Sequence, residues 1–377
     1  MSGFVVKGWC PDAWRPMVAG DGLLVRVKPR LARLTREQML GLADAAITCG
    51  NGLIDMTRRA NLQLRGVADD MWPALLERLK ALDLVDADAS IEGRRNILVP
   101  PTWRQGDDTH RIATELHARL GELPELPGKI GFVVDAGVAP LLSREAGDFR
   151  IERSRQGSLA LRADGHPAGV AVALGREVDA LIALAEWFVE SGGGEAGRMA
   201  RHMTALPAWA VGDLEPTDAA ASIALGGQGA GTVYGLPFGR MEAAVLARLA
   251  ARLPEGMGMR TTPWRLLLLE VPIEMESGGL LVDPTDPLLR VDACPGMPAC
   301  PQATVETRDL ARRLALQVDG RLHVSGCSKS CASAAAATVT LTGHDGLYDL
   351  ALNARAGSPP LHSGLDRAGV LAHLGAA

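Results

Sequence analysis

The stretch GLIDMTRRANLQLRGV at positions 52–67 has a counterpart, GMGMRTTPWRLLLLEV, at positions 256–271. Superposing the two stretches aligns identical residues at Gly52/Gly256, Thr57/Thr261, Leu62/Leu266, Leu64/Leu268 and Val67/Val271. Both stretches are predicted to end in a strand. The match indicates that part of the chain is duplicated.

The same order of elements precedes each stretch. In the first copy a predicted strand at 22–27 is followed by a helix at 35–46, with Thr35 as its N-cap. In the second copy the corresponding segments are 232–238 and 241–253. A duplicated strand–helix–strand half predicts an α+β fold in which the two copies pack as one pseudo-symmetric domain with a cleft along its axis.

A larger module follows each copy. We expect four units, at 1–85, 90–200, 205–285 and 286–377. The glycine-rich segment 191–197 reads as a linker between the halves. The segment GGQGAG at 226–231 contains no G-x-G-x-x-G register and precedes a strand, so it is interpreted as a flexible lead-in.

Only the last module carries a cluster of cysteines, arranged C-x5-C-x26-C-x3-C as Cys294, Cys300, Cys327 and Cys331. Four thiolates from two short loops can surround a metal centre. The five-residue gap is unlike a zinc knuckle, and the few cysteines in so long a chain argue against disulfides. An iron–sulfur cluster fits this spacing best, with zinc or unliganded core thiols as the alternatives.

A donor-rich strand face is the second chemical feature. In a strand, Arg59, Asn61, Gln63 and Arg65 would share one side, which suits a ligand with several carboxylates, although a solvated outer strand has the same pattern. Further candidate cations are Arg26, Arg95, Lys129 and Lys329. Lys329 stands out because it lies between the last two cysteines.

Bulk properties narrow the class of function. The chain has 377 residues, a net charge of −5 and 47% hydrophobic residues. These values favour well-packed domains and give no general attraction to nucleic acid or anionic membranes. Without an apolar run of membrane-spanning length or a secretory signal, we expect a cytoplasmic protein.

The cysteine spacing, the segment HVSGC at 323–327 and the segment RANLQLR at 59–65 together resemble the sulfite and nitrite reductase superfamily. The resemblance covers nearly the whole chain. It implies ferredoxin-like half-domains at 1–85 and 205–285, and two reductase-type α/β modules of which the second binds a [4Fe–4S] cluster. It also implies tetrapyrrole binding by Arg59, by Arg95 of an R-N-V-like segment, and by Lys129 of a K-x-K pair. Gly131 replaces the second lysine of that pair, which argues against sulfite or nitrite reduction.

Other segments resemble one branch of the superfamily, which oxidises a precorrin in aerobic cobalamin synthesis: CPDAWRPM at 10–17, GDGLLVR at 20–26, RTTPWR at 260–265 and HVSGCSK at 323–329. The resemblance implies a monooxygenase that binds precorrin-3A, O2 and an unidentified electron donor. It would hydroxylate a meso carbon and close a lactone from the ring A acetate. The branch is also described with a mononuclear non-haem iron, but no 2-His-1-carboxylate arrangement indicates its ligands.

Two other functions stay open. One is a sirohaem-dependent sulfite or nitrite reductase, and the other is a non-catalytic tetrapyrrole carrier with a cluster. The sequence indicates neither the catalytic acid and base nor the oligomeric state. The simplest interpretation of Cys10 and Cys49 is burial as small hydrophobic residues, but Cys10 belongs to one of the branch-like segments and could instead approach the cleft, so the sequence does not determine their roles.

Overall fold

The computed structural model describes residues 9–229, 231–273 and 277–375. Its strands are β1 (Met17–Ala19), β2 (Gly22–Val27), β3 (Arg33–Thr35), β4 (Leu53–Met56), β5 (Leu62–Val67), β6 (Ile97–Leu98), β7 (Phe132–Asp135), β8 (Phe149–Arg153), β9 (Leu159–Ala163), β10 (Val170–Ala171), β11 (Gly226–Gln228), β12 (Gly231–Gly235), β13 (Arg240–Glu242), β14 (Gly258–Thr261), β15 (Leu266–Leu269), β16 (Val291–Ala293), β17 (Leu322–Ser325), β18 (Ala337–His344), β19 (Leu347–Ala354) and β20 (His362–Leu365). Its helices are α1 (Arg36–Cys49), α2 (Trp72–Ala81), α3 (Ala89–Arg94), α4 (Asp108–Ala118), α5 (Glu177–Glu190), α6 (Gly193–Ala196), α7 (Ala243–Arg252), α8 (Arg308–Leu314) and α9 (Arg367–His373).

The two copies of the repeat form two antiparallel sheets that exchange a strand. The strand orders are β1-β2-β5-β4-β13 and β11-β12-β15-β14-β3. Thus β13 of the second copy pairs with β4, and β3 of the first copy pairs with β14. Each copy completes the sheet of the other, so the two copies form one unit.

A matching backbone turn directs each exchanged strand. Leu31 and Phe238 have φ angles of 52° and 56° in the short 3-10 turns that precede β3 and β13. This left-handed conformation is uncommon for bulky residues, so its recurrence supports the duplication. Helices α1 and α7 follow the exchanged strands and pack together over a core shared by both sheets.

Helix α1 begins as the sequence predicts. The Thr35 hydroxyl accepts a hydrogen bond from the Gln38 backbone N–H at 3.2 Å, and the Gln38 side chain accepts one from the Thr35 N–H at 3.0 Å. This capping box satisfies two backbone donors at the helix start. The prediction of Thr35 as the N-cap is therefore confirmed.

The two larger modules have the same topology. Their sheets run β10-β9-β8-β7-β6 and β16-β17-β18-β19-β20. In each, the first three strands in the chain are parallel and the remaining pairs are antiparallel. Loops that follow neighbouring parallel strands leave the sheet at one edge, and this geometry places the cysteine loops.

Two glycine-rich segments differ from their predicted roles. Segment 191–197 is not an extended linker, because it contains α6 and Gly193 packs within contact distance of Phe188. The segment predicted as a flexible lead-in contains β11, which pairs with β12 at the edge of its sheet; Ala230 lies outside the described residues. Tertiary contacts and strand pairing order both segments.

Across the described ranges, the helices are too short or too polar to cross a membrane.

Candidate functional site

A cavity of about 550 Å³ lies where the two copies of the repeat meet the second large module. Strands β2, β4 and β5 form one wall, the loops after β16 and β17 form another, and Lys129 reaches in from the first module. Among the described lining residues, eight are arginine or lysine and two are aspartate. This cationic excess contrasts with the net charge of −5 of the whole chain.

The four clustered cysteines line this cavity. Cys294 and Cys300 belong to the loop after β16, whereas Cys327 and Cys331 belong to the loop after β17. Because β16 and β17 are adjacent and parallel, the two loops emerge side by side. The Gly326 backbone N–H donates a hydrogen bond to Cys294 Sγ at 3.2 Å, which favours the thiolate form that a metal ligand requires.

Burial and the neighbouring thiols raise the pKa of two of the four cysteines. Burial raises the pKa of Cys294. It also raises the pKa of Cys331 to about 11; Lys329 opposes this shift and the other three thiols add to it. No three histidine, cysteine, aspartate or glutamate side chains of the described segments are arranged to hold a metal ion.

Six of the eight predicted ligand-binding residues line the cavity: Arg26, Arg59, Gln63, Arg65, Lys129 and Lys329. In the amide orientation that satisfies both groups, Gln63 Oε1 accepts hydrogen bonds from Arg26 Nε at 3.2 Å and Nη2 at 2.8 Å. Arg59 Nη2 donates to the Lys129 carbonyl at 2.7 Å. The turn that carries Arg59 therefore contacts the segment that carries Lys129.

Asn61 is not part of the cavity wall, and the predicted strand face is wrong at its beginning. Strand β5 starts at Leu62, and the preceding residues form a turn in which Thr57 Oγ1 accepts hydrogen bonds from the N–H groups of Arg59 and Asn61, both at 3.2 Å. Ala60 has a φ of 55°, which interrupts the alternation. Asn61 is only 5% exposed, so the alternation holds for Gln63 and Arg65 but not before them.

Arg95 is also misassigned as a ligand-binding residue. It is 2% exposed and does not line the cavity. Its guanidinium pairs with Glu92 at 2.9 Å and donates to the carbonyls of Lys28 and Leu84. In this position Arg95 joins α3 to the first repeat, which is a structural role.

Several cavity residues were missed by the sequence analysis: Cys10, Asp55, Arg58, Arg265, Asp292 and Arg308. Asp55 pairs with Arg240 Nε at 2.8 Å, Arg308 Nη1 at 3.3 Å and Arg65 Nη1 at 3.4 Å. Burial alone would raise the pKa of Asp55, but these guanidiniums outweigh burial and hold that pKa below its usual value. The alternation of charged residues at 58–65 could have signalled Arg58, whereas no local pattern marks Arg308.

Cys10 lines the cavity together with Arg26. The segment that carries it is anchored by Ala13, which is fully buried and whose carbonyl accepts a hydrogen bond from Trp72 Nε1 at 2.9 Å. Cys49, in contrast, is buried in the core at the end of α1, as expected. Of the two positions that the sequence left open for Cys10, the structure has the one at the cleft.

A larger cavity, of about 1,120 Å³, lies at the pseudo-symmetric position between β12, β14, β15 and the first module. Among its described lining residues there is no cysteine. Arg33 and Arg260 both pair with Glu270 at 2.7 Å, and Arg260 also lies 3.9 Å from the centre of the Trp103 ring. This cavity is larger but lacks the thiols and the density of cations, so it is not the candidate active site.

Comparisons with known proteins agree with this architecture. Residues 15–82 match the family model of the nitrite/sulfite reductase ferredoxin-like half domain. The chain is 31% identical to a precorrin-3B synthase from a Sinorhizobium species, covering 94% of this chain and 84% of the relative. It is 24% identical to a ferredoxin–nitrite reductase from Synechococcus elongatus, covering 89% and 78%. The solved structure of the Mycobacterium tuberculosis NirA protein superposes with a TM-score of 0.63 at 18% identity, covering 92% and 78%.

The overall fold and the match to the half-domain family model define the class of protein. It is the nitrite and sulfite reductase superfamily. Within it, the chain belongs to the precorrin-3B synthase family, because the 31% identity extends over 94% of its length. Both curated relatives are enzymes, which makes this chain an oxidoreductase-like enzyme.

Proposed function

We propose that the chain acts as a precorrin-3B synthase in aerobic cobalamin biosynthesis, as the name of its Sinorhizobium relative suggests. In this proposal it is an O2-dependent monooxygenase that hydroxylates precorrin-3A at a meso carbon, with lactone formation from the ring A acetate. The observation that carries the proposal is the meeting of eight cationic side chains and four cysteines on one cavity. A tetrapyrrole that bears many carboxylates needs such a cationic surface, and redox chemistry needs an electron carrier beside it.

The cysteines fit a [4Fe–4S] cluster. Cys294, Cys300, Cys327 and Cys331 would hold it, because the loops after two adjacent parallel strands bring all four thiols to one cavity. The hydrogen bond from the Gly326 N–H to Cys294 Sγ is of the kind that tunes a cluster's potential. When bound, the cluster would supply or relay electrons to the reaction.

The cationic residues would bind and orient the substrate. Arg26, Arg59 and Arg65 form one wall, and Lys129 and Lys329 approach from two other loops. Contacts to carboxylates around the macrocycle would present one meso carbon toward the cysteine loops. Because the cations come from separate parts of the fold, they would contact carboxylates at several points around the edge of the macrocycle.

The overall reaction requires an external reductant. One atom of O2 becomes the hydroxyl oxygen and the other is reduced to water, which takes two electrons and two protons. An electron donor must therefore reach the enzyme. A mononuclear iron does not fit the described residues, since no three suitable ligands are arranged around one point.

The nitrite reductase relative makes a sirohaem-dependent reductase the second candidate. Gly131, which stands at the second position of the K-x-K pair, argues against it. A Cβ at Gly131 would lie 2.8 Å from Asn96 Nδ2, so a lysine there would require Asn96 to move. The cavity consequently lacks one cation that sulfite or nitrite chemistry uses.

The deciding experiment combines a visible spectrum of anaerobically purified protein with turnover assays. We expect cluster absorbance without sirohaem bands, and O2 uptake that depends on precorrin-3A and a reductant. Tightly bound sirohaem with sulfite or nitrite reduction would establish the alternative. A protein that binds the precorrin but never converts it would be a carrier.

A further inference from the structure

The tip of the hairpin formed by β1 and β2 contacts the loop that carries Cys294 and Cys300. The Gly20 N–H donates a hydrogen bond to the Ala299 carbonyl at 3.1 Å. A Cβ at Gly20 would overlap the carbonyl oxygen of Pro298, so only glycine allows the two backbones to come this close. The hairpin tip therefore packs directly against the residue that precedes Cys300.

A second donor to the same carbonyl comes from Arg65 in β5. Arg65 Nη2 donates to the Ala299 carbonyl at 3.0 Å. The same guanidinium donates from Nε and Nη2 to the two carboxylate oxygens of Asp21, at 2.9 and 2.8 Å. Arg65 thus joins the hairpin tip, strand β5 and the cysteine loop.

These contacts leave little of Arg65 for a ligand. Four hydrogen bonds run from its guanidinium to Asp21, Ala299 and Asp55, the last at 3.4 Å. Its side chain is only 4% exposed. Arg65 is part of the cavity wall, but its guanidinium acts mainly on other parts of the protein.

The two ends of the cysteine loop are held by different parts of the fold. At the first end, Thr307 Oγ1 donates to the Cys294 carbonyl at 2.5 Å, and the Gly326 N–H donates to Cys294 Sγ at 3.2 Å. Both donors belong to the same module as the loop. At the other end, the Ala299 carbonyl binds to the first copy of the repeat. Loss of the contacts at Ala299 would therefore free the part of the loop that carries Cys300.

The second copy of the repeat has the opposite charge at the place of Arg65. Gln63 and Leu268 occupy equivalent positions, because each lies opposite the third residue of the neighbouring strand, β4 or β14. Two positions further along come Arg65 and Glu270, a correspondence that is one position removed from the superposition of the sequences alone. A carboxylate cannot donate a hydrogen bond to a carbonyl. The arginine is thus present only in the copy whose neighbouring loop carries cysteines.

We propose that Gly20, Asp21 and Arg65 form a latch that positions Cys300 for binding the cluster, by holding its loop against the first copy of the repeat. Arg65 is in this role a positioning residue. The proposal rests on the proposed function, since it assumes that the four cysteines hold a cluster. The latch would fix the cysteine loop relative to β5, the strand whose Gln63 lines the same cavity.

The first measurement needs no cluster. The rate at which iodoacetamide alkylates Cys300 in the metal-free full-length protein, followed for each cysteine by peptide mass spectrometry, reports how often the loop opens. We expect Gly20→Ala to raise this rate about tenfold, because the new Cβ displaces Pro298, and Asp21→Asn to raise it about threefold, because Arg65 loses its ion pair with the hairpin. Alkylation of Cys331, on the other loop, should change by less than about twofold.

Each variant has a matched control. Gly227→Ala controls for Gly20→Ala, because Gly227 lies in β11, in the corresponding hairpin of the second copy, and its Cβ would meet no atom within 4 Å. Asp44→Asn controls for Asp21→Asn, because the ion pair of Asp44 with Arg78 lies on the surface. Both controls should leave the alkylation rate of Cys300 at the wild-type value.

The second measurement uses protein with a reconstituted cluster. In Gly20→Ala the electron paramagnetic resonance spectrum of the reduced cluster should differ from that of the wild type, because the residue next to a ligand is displaced. Iron loss to a chelator should be about tenfold faster in the same variant. A residue that only stabilised the fold would lower the free energy of unfolding without altering the spectrum.

The outcomes separate the two proposals. If neither variant changes the alkylation of Cys300, the latch is refuted, whether or not a cluster binds. If all four clustered thiols become reactive together while the free energy of unfolding falls, the variants weaken the whole fold and the positioning role is refuted. If the wild-type protein takes up no cluster, the cluster assignment of the proposed function is refuted, and with it the purpose of the latch, while the alkylation rates still show whether the loop is held.

Discussion

Replacing Asp55 with asparagine tests whether one buried carboxylate joins three parts of the fold. Asp55 belongs to the first copy of the repeat, Arg240 to the second copy and Arg308 to the cysteine-bearing module. The three guanidiniums that surround the carboxylate, Arg240, Arg308 and Arg65, lie 2.8, 3.3 and 3.4 Å away. Asparagine keeps the shape of the side chain but removes the charge, so the guanidiniums are left partly buried without a counter-ion.

The expected loss of stability follows from these contacts. Removing one partner of a buried ion pair costs about 3–5 kcal/mol. Arg65 retains Asp21 at 2.8 Å, and the asparagine oxygen still accepts a hydrogen bond, which places the expected cost near the lower end, at about 3 kcal/mol. The free energy of unfolding in urea at pH 7 measures it.

A surface pair provides the control. Asp44→Asn removes the partner of Arg78 in an ion pair of 3.1 Å whose side chains are 62% and 46% exposed. Such pairs contribute roughly 0–1 kcal/mol. If Asp55→Asn lowered the free energy of unfolding no more than Asp44→Asn does, the claim that Asp55 joins three parts of the fold would be refuted.

The same variant has a predictable pH dependence. The folded-state pKa of Asp55 is below its ordinary value, so its contribution to stability is fully present above the unfolded pKa of about 3.9. That contribution is lost as the pH falls through the folded-state pKa. The stability difference between wild type and Asp55→Asn should therefore narrow as the solution is acidified below about pH 4.

Three further predictions concern separate sites. Cys300→Ala should abolish iron–sulfur absorbance and bound iron, whereas Cys49→Ala, a buried core position outside the cavity, should keep both; full iron in the first variant would refute the ligand assignment. Gly131→Ala should lower the unfolding free energy by about 1–2 kcal/mol, because its Cβ would lie 2.8 Å from a side-chain amide, while Gly128→Ala meets no atom within 4 Å and should be neutral within about 0.5 kcal/mol. Burial raises the pKa of Asp135 to about 6, so the wild type loses stability as the pH rises from the unfolded pKa of about 3.9 to that value. Asp135→Asn should gain stability relative to the wild type as the pH rises from about 4 to about 7, and unfolding curves with a constant difference across that range would contradict this.

Local patterns predicted much of the fold. The hydroxyl of Thr35 followed by Gln38 indicates a helix start, and the capping box forms there. The aligned residues of the repeat indicate duplication, and the two sheets with their matching left-handed turns agree with it. The capping box depends on residues three positions apart, and the repeat on similarity between two stretches of sequence, so both could be recognised without a structure.

The candidate site was only partly predictable. The cysteines are close in sequence within each pair, and adjacent parallel strands bring the two pairs to one cavity. The strand-face prediction failed at Asn61 because a threonine-fixed turn interrupts the alternation, and it failed to include Arg58 for the same reason. Arg95 was misassigned because its charge is satisfied by Glu92 and by carbonyl groups inside the protein.

The sequence by itself determined the repeat, the helix N-cap at Thr35 and the four clustered thiols, since spacing and side-chain chemistry express these directly. Only the tertiary structure decided the strand exchange, the burial of Asn61 and Arg95, and the ion pair between Arg308 and Asp55. These features depend on contacts between residues far apart in the chain, and many alternative pairings satisfy the same local pattern. Which charged side chains remain free for a ligand is settled only when the packed protein has satisfied the others.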